Sequence, residues 1–279
     1  MVVVTLMWST AGVITRHLEI ARSFEVTFWR AFFTAASLAV ALPLLRGRDV
    51  FFKMRHAGVF FWLSGVCWSV MFTAFMLALT LTSVGNVLVT MSIGPLLTAV
   101  MARLFIGHRV ARRTWVAIIV AAVGIVYMYA SQMGDVTLLG TLVSLCVPVA
   151  GAANWTITQH SHDQGHDVDL MPAVAVGAVI SCALTLPVAF PFQATAHDVG
   201  LLAFLGVFQL AVPCVLSVRC AQVLKAPELS LLQLLEVIFG ILLAWVGANE
   251  VPSSSVLTGG ALVIGALVVN ELIGWRQRI

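Results

Sequence analysis

One carboxylate stands alone in a run of uncharged residues: Glu236, within LSLLQLLEVIFGILLAWV from Leu229 to Val246. In hydrocarbon such a group costs ~2.5–3.5 kcal/mol on insertion scales, so it persists where it has a partner or a watered cavity. Gln233 lies three residues before it and Gly240 four after, a spacing that stacks all three on one helical face. The chemistry this supports is proton carriage or contact with a solute in a central cavity. The competing reading is a neutral acid bonding a neighbouring helix for packing, since burial disfavours the charged form.

Other polar or aromatic groups sit inside apolar runs. Arg30 follows Trp29 and keeps its proton in almost any surroundings. It can serve as counter-ion to Glu236, face a solute, or snorkel, being only about six residues into its run. Trp8, Trp68 and Trp155 fall at run midpoints, away from the interfaces where tryptophan normally anchors. There they can stack on a planar or apolar solute, or simply pack. Asn86 and Asn154 are amides that need partners, which a polar solute or an adjacent helix can supply. The expected cavity lining is therefore Trp8, Trp68, Asn86, Asn154, Trp155, Gln233 and Glu236, with Glu236 the proton-coupling candidate and Arg30 the counter-ion candidate.

Metal and cofactor chemistry find little support. His160, His162, Asp163, His166, Asp167 and Asp169 form a ligand-rich stretch, but a hydrophilic loop between helices explains it more simply, and no metal site is expected. The five cysteines are scattered through apolar runs without a CxxC pair and read as small buried hydrophobes. No HExxH, GxSxG or Walker A pattern occurs, so protease, hydrolase and ATP-driven functions lack their motifs. No cofactor is expected.

The elements that would position these residues follow from composition. Of 279 residues, 61% are hydrophobic and 10% charged, against roughly 25% charged in soluble domains. Runs long enough to cross a ~30 Å core at ~1.5 Å per residue follow one another almost without interruption. The pattern predicts an all-α polytopic membrane protein with ten spans, near 1–16, 25–45, 57–79, 82–105, 113–130, 138–159, 170–190, 198–219, 228–247 and 255–274. The first is short, about 22 Å over fifteen residues, and lacks the basic start of a cleavable signal. The net charge of +3 is a topology signal; without a basic stripe, no nucleic-acid partner is expected.

Arg46, Arg48, Lys53, Arg55, Arg109, Arg112, Arg113, Lys225, Arg276 and Arg278 all fall on one side of a ten-span threading. Only Arg16 and Arg22 fall opposite. The positive-inside rule then puts both termini in the cytoplasm of a multi-pass protein of the cytoplasmic (inner) membrane. The acidic loop His160–Asp169 must share that side, which the rule tolerates because acidic residues count little.

A shift of 142 residues lays Ser83–Ala130 over Lys225–Leu272 without a gap, placing Gly94 on Glu236, Thr98 on Gly240, Ala102 on Ala244 and His108 on Glu250. Trp8-Ser9 likewise matches Trp155-Thr156. Two units of five spans each, 1–131 and 132–279, are expected, and an odd count per unit forces the second to insert inverted. The small residues at Gly94/Thr98/Ala102 and Gly240/Ala244 recur every four positions, as in closely packed helices.

On these residues the chain resembles the EamA-like branch of the drug/metabolite transporter superfamily. The matching features are Trp8 with Gly12, Trp29-Arg30, TSVGNVLVTMSIGPLLTAV, Gly107-His108-Arg109, LLQLLEVIFGILLAWV, Asn249-Glu250 and Gly259-Gly260. Two positions depart from the family pattern. Val237 stands where a proline usually follows the glutamate, so a milder backbone break is expected, and His108 stands where the turn is usually acidic. The resemblance implies a secondary transporter of small organic metabolites, amino acids among them, working by alternating access in the lipid bilayer. Its partners would be the small-molecule substrate and lipid, with a homodimer left open. The competing classes are a membrane-embedded enzyme and a non-transporting receptor or scaffold.

Overall fold

A backbone flanked by apolar side chains must bond to itself, and in the computed structural model of this chain it does so as helix. The structure describes residues 1–15, 17–21, 23–82, 87, 90–107, 109–130, 137–164, 169–248 and 253–276. Asn86, His108, His166, Asp167, Asn249 and Glu250 lie outside the described residues.

The helices in chain order are α1 Val2–Thr15, α2 Ser23–Arg46, a short α3 Val50–Arg55, α4 Val59–Leu81, α5 Gly94–Ile106, α6 Arg112–Tyr129 and α7 Leu138–Asp163. They continue with α8 Met171–Ala189, α9 Ala196–Phe204, a π-helical turn Leu205–Ala211, α10 Val212–Ala221, α11 Ala226–Gln233, α12 Leu235–Ala248 and α13 Ser254–Arg276. No strand occurs among the described residues. Among the described residues, six stretches are long and apolar enough to cross a membrane: Phe24–Arg46, Val59–Ala78, Leu138–Asp163, Met171–Ala189, Ala196–Ala221 and Ala226–Leu243. Val2–Thr15, Gly94–Ile106 and Ser254–Asn270 are shorter apolar helices.

Local chemistry sets the boundaries. Thr137 and Thr195 cap α7 and α9, their hydroxyl oxygens each accepting from a backbone N–H at 3.1 Å. Gly107 closes α5 at φ 66°, a left-handed conformation that costs glycine least. Pro95, Pro172 and Pro227 occupy first turns, where the missing N–H has no helical partner to lose.

Packing pairs the helices in a repeating order. α4 lies on α7 and α8, α2 on α8 and the π turn, α1 on α12 and the π turn, α5 on α7 and α11, and α6 on α13. Directions can be read from contacts at both ends. Glu25 at the start of α2 meets Gln193 beyond the end of α8, while Arg46 at the end of α2 meets Asp169 before its start. These two helices are antiparallel. So are α6 and α13, where Thr114 bonds Asn270 and Gly124 approaches Gly259.

The closest approaches fall at small residues. A Cβ at Gly65 would meet Val176 at 2.8 Å, and one at Gly206 would stand 2.8 Å from the Arg30 carbonyl. These two glycines are 141 residues apart, and the segments they press on, 173–176 and 30–34, are similarly offset, so the tight contact is made twice. Gly94 likewise packs, facing Pro148 at 3.5 Å, but a Cβ on Gly240 would meet nothing within 4 Å. The expected close-packed stripe therefore holds at Gly94 and fails at Gly240, which borders open space one turn beyond Glu236. The outer faces stay apolar, with Leu44 and Val246 both 80% exposed, as lipid contact requires.

Candidate functional site

The run that carries Glu236 is not one continuous helix. α11 ends at Gln233, Leu234 forms a turn, and α12 starts at Leu235. The amides of Leu234 and Val237 bond carbonyls three residues back, Leu231 and Leu234, both at 3.1 Å. That tightening interrupts the ladder at one residue, Leu234, which keeps right-handed helical angles of φ −61° and ψ −18°, and it does so without the proline absent at Val237. Glu236 consequently occupies the first turn of α12. Ser92 and Ile93 form a turn of the same kind just before α5 begins at Gly94. Shifting Ser92 by 142 residues gives Leu234, so the interruption is duplicated along with the sequence.

Around this break the expected residues fall into two groups. In the first, the Trp155 indole N–H donates to Gln233 Oε1 at 3.0 Å. Trp155 also packs edge-on against Trp68, with ring centroids 5.7 Å apart. Ser64 donates to Asn154 Oδ1 at 2.7 Å. Trp68, Asn154 and Trp155 are buried, whereas Gln233 and Glu236 keep partial access. The indole N–H of Trp68 and the amide nitrogen of Asn154 are buried donors without a partner.

The second group centres on Arg30. Its Nη2 donates to Gln209 Oε1 at 2.9 Å and its Nη1 to the Met76 sulfur at 2.8 Å. Gln209 in turn donates from Nε2 to the Trp8 carbonyl at 3.1 Å. Trp8 is buried, with its indole at the Cys214 thiol. No ion pair joins Arg30 to Glu236 among the described residues; the guanidinium's near partners are Gln209 and Met76. Seven of the eight expected residues thus fall in or beside these two groups; the eighth, Asn86, is outside the described residues.

Sequence reasoning missed Gln209, although an isolated amide in the run LLAFLGVFQLAVPCVLSV carries the same signal as Asn154. It also missed two buried carboxylates at helix starts. Glu25 accepts from the Gln193 and Ala194 amides at 3.0 and 2.8 Å and from the Trp29 indole at 3.4 Å. Asp198 accepts from the Glu19, Ile20 and Ala21 amides at 2.7, 3.1 and 3.1 Å. Both stand at span ends, where an acidic residue carries no signal of burial.

Asp198 also lies with Glu19 and His197 in a group whose ligand atoms fall within 4.8 Å of one another. Its oxygens are already filled by three backbone N–H groups, so they suit a structural clamp better than a cation. In the acidic loop, Asp163 pairs with Lys225 at 3.2 Å and Asp169 with Arg46 at 2.8 Å. His160 meets the ring of Phe60 edge-on. Those acids are engaged in ion pairs.

Comparison with known proteins completes the picture. A solved crystal structure of another protein aligns with a TM-score of 0.78 over 99% of this chain and 96% of its own, at 17% identity. At that identity the likeness shows the fold alone. No curated protein matches the chain. The sequence model of the EamA-like transporter family matches twice, over residues 1–130 and 138–271. With both halves of the chain covered, this multi-pass membrane protein belongs to the EamA-like transporter family.

Proposed function

We propose that the chain is a secondary transporter exporting small organic metabolites such as amino acids, built as ten spans in two inverted five-helix units, 1–131 and 132–279. The observation that carries this reading is the duplicated helix interruption at Ser92–Ile93 and Leu234, with Gln233 and Glu236 beside the second copy. Broken helices meeting near the membrane midplane are how transporters expose backbone and polar groups to a solute. Inversion is supported by α2 against α8 and α6 against α13. Each pair joins equivalent spans of the two units, and each runs antiparallel.

In the mechanism that follows, solute enters between the units from one side and contacts Gln233, Glu236 and the neighbouring aromatic and amide groups. The units then rock so that the other side opens. The protein is the multi-pass occupant of the cytoplasmic membrane, with both termini in the cytoplasm. Glu236 carries the coupled proton, because at the open face near Gly240 it can exchange protons while its charged form is otherwise disfavoured.

Glu236→Gln fixes the uncharged form and keeps shape and hydrogen-bonding capacity. In sealed proteoliposomes loaded with an amino-acid panel, this variant should exchange solute yet gain nothing from an imposed pH gradient. Wild-type protein should accumulate solute up to about tenfold for a gradient of one unit at one proton per solute, the ratio that a 1.4 kcal/mol driving force provides. Proton-driven accumulation persisting in Glu236→Gln would remove the proton role. Absence of any solute movement by wild-type protein would remove the transport reading itself.

A further inference from the structure

We infer that Arg30 receives a carboxylate group on the substrate and that Gln209 is the residue that positions it, an inference that rests on the transport reading above. A guanidinium offers five N–H donors in a planar fork. Arg30 is only 6% exposed, yet its near partners are a neutral amide oxygen and a thioether sulfur. Its Nε–H is buried with no acceptor. A buried cation held this poorly is costly unless a charged partner completes it.

The other described ion pairs sharpen the contrast. Arg46 and Lys225 are partly exposed, where water would serve them, yet each holds a carboxylate, at 2.8 and 3.2 Å. Arg30, which water does not reach, holds none. The ionisable groups that face it are Glu236 on α12 and Cys214 on α10, both at Coulombic range and not in hydrogen-bond contact.

The fork matches a carboxylate through two parallel N–H bonds. A single cation flanked by Trp8, Met76, Gln209, Cys214 and Glu236 suits a monoanion. A phosphate dianion would call for a second cation, and none stands among these neighbours.

Gln209 is fixed at both ends of its amide, by Arg30 and by the Trp8 carbonyl. It projects from the π-helical turn Leu205–Ala211, a geometry that recurs at functional sites because it displaces a side chain from the regular helical register. Thr34 secures the same turn by donating to the Gly206 carbonyl at 2.9 Å. Removing the Gln209 amide would leave the guanidinium free to swing, so its effect on binding would come through Arg30.

The test uses purified full-length protein and three matched pairs of probes: acetate and acetamide, phenylacetate and phenylacetamide, and L-phenylalanine and its amide. Binding is read by thermal shift and by tryptophan fluorescence. At least one carboxylate should bind about tenfold or more tightly than its amide, the ratio expected for a charge-assisted pair. The preference should vanish in Arg30→Gln, persist weakened in Arg30→Lys, and fall by about tenfold in Gln209→Leu. Should Arg30→Gln fail to fold, Arg30→Lys and Gln209→Leu carry the comparison.

Equal binding of acid and amide in all three pairs overturns the assignment, as does a preference untouched in the folded Arg30 and Gln209 variants. Counterflow of the same probes in proteoliposomes separates the two readings. A carboxylate preference without flux sinks transport and keeps the site. Flux without the preference sinks the site and keeps transport.

Discussion

The two ends of the helix bundle are fastened by different chemistry. At one end, carboxylates that are 1% and 0% exposed, Glu25 and Asp198, grip backbone amides of loops from the opposite half of the chain. Glu25 holds the segment after α8, and Asp198 holds the segment after α1, so the two grips are reciprocal. At the other end, Arg46–Asp169 and Lys225–Asp163 join side chains that are between 34% and 47% exposed. The first kind of fastening is dry and aimed at fixed donors. The second is wet, screened by salt and worth only about 0–1 kcal/mol per pair. For a protein proposed to open alternately at its two ends, the difference means that one end has, among the described residues, the single exposed ion pair Arg46–Asp169 between its halves, while the other must give up several hydrogen bonds to two buried carboxylates together.

The comparison breaks most directly at Asp198. Replacing it with Ala leaves three backbone N–H groups without their acceptor. Each buried unsatisfied donor costs about 1–3 kcal/mol, so thermal unfolding in detergent should shift more than for any other substitution at either end. Asp198→Asn, which keeps one acceptor oxygen, should lose roughly half as much. An Asp198→Ala shift no larger than that of Arg46→Ala would erase the distinction between the ends.

Glu25→Gln ranks next. One oxygen remains to accept from the Gln193 and Ala194 amides, so a loss of about 1–2 kcal/mol is expected. The Trp29 indole should also report the change, as a shift in its fluorescence. An unmoved melting point together with unmoved emission would place Glu25 outside the fastening.

The smallest effect belongs to the exposed end. Arg46→Ala or Asp169→Asn should cost about 0.5 kcal/mol or less. That cost should fade as salt rises from 0.15 to 1 M and the screening length drops from about 8 to 3 Å. The losses at Asp198 and Glu25 should persist at high salt, because both carboxylates are buried and their partners are neutral backbone dipoles in direct contact. Salt sensitivity in the reverse order would invert the assignment of dry and wet ends.

Part of this site was open to inspection in the residues alone. Glu236 and Gln233 announced themselves by polarity within an apolar run, and Arg30 did so by charge. The tryptophans stood out by their distance from the interfaces. Their roles divided once neighbours were known. Trp155 gives its N–H to Gln233 and is closed off, whereas the small residue Gly240, read as a packing surface, borders open space. Gln209 carried the same polarity signal and passed unnoticed, since nothing local marks which amide will find a guanidinium 179 positions away.

What the sequence determined by itself is whatever hydropathy, charge and duplication encode locally. These gave a helical membrane protein, a twofold internal repeat and a stranded carboxylate, because burial in lipid constrains each run of about 20 residues independently of its neighbours. Tertiary structure decided which groups meet. The contacts between Glu25 and Ala194, Asp198 and Glu19, and Arg30 and Gln209 span 169 to 179 residues. Their hydrogen bonds depend on angles and distances that only packed helices impose. The turn at Leu234 belongs to the same class. With no proline to enforce it, the backbone breaks there as part of the packed fold, and that break places Glu236 at the start of a helix instead of in its middle.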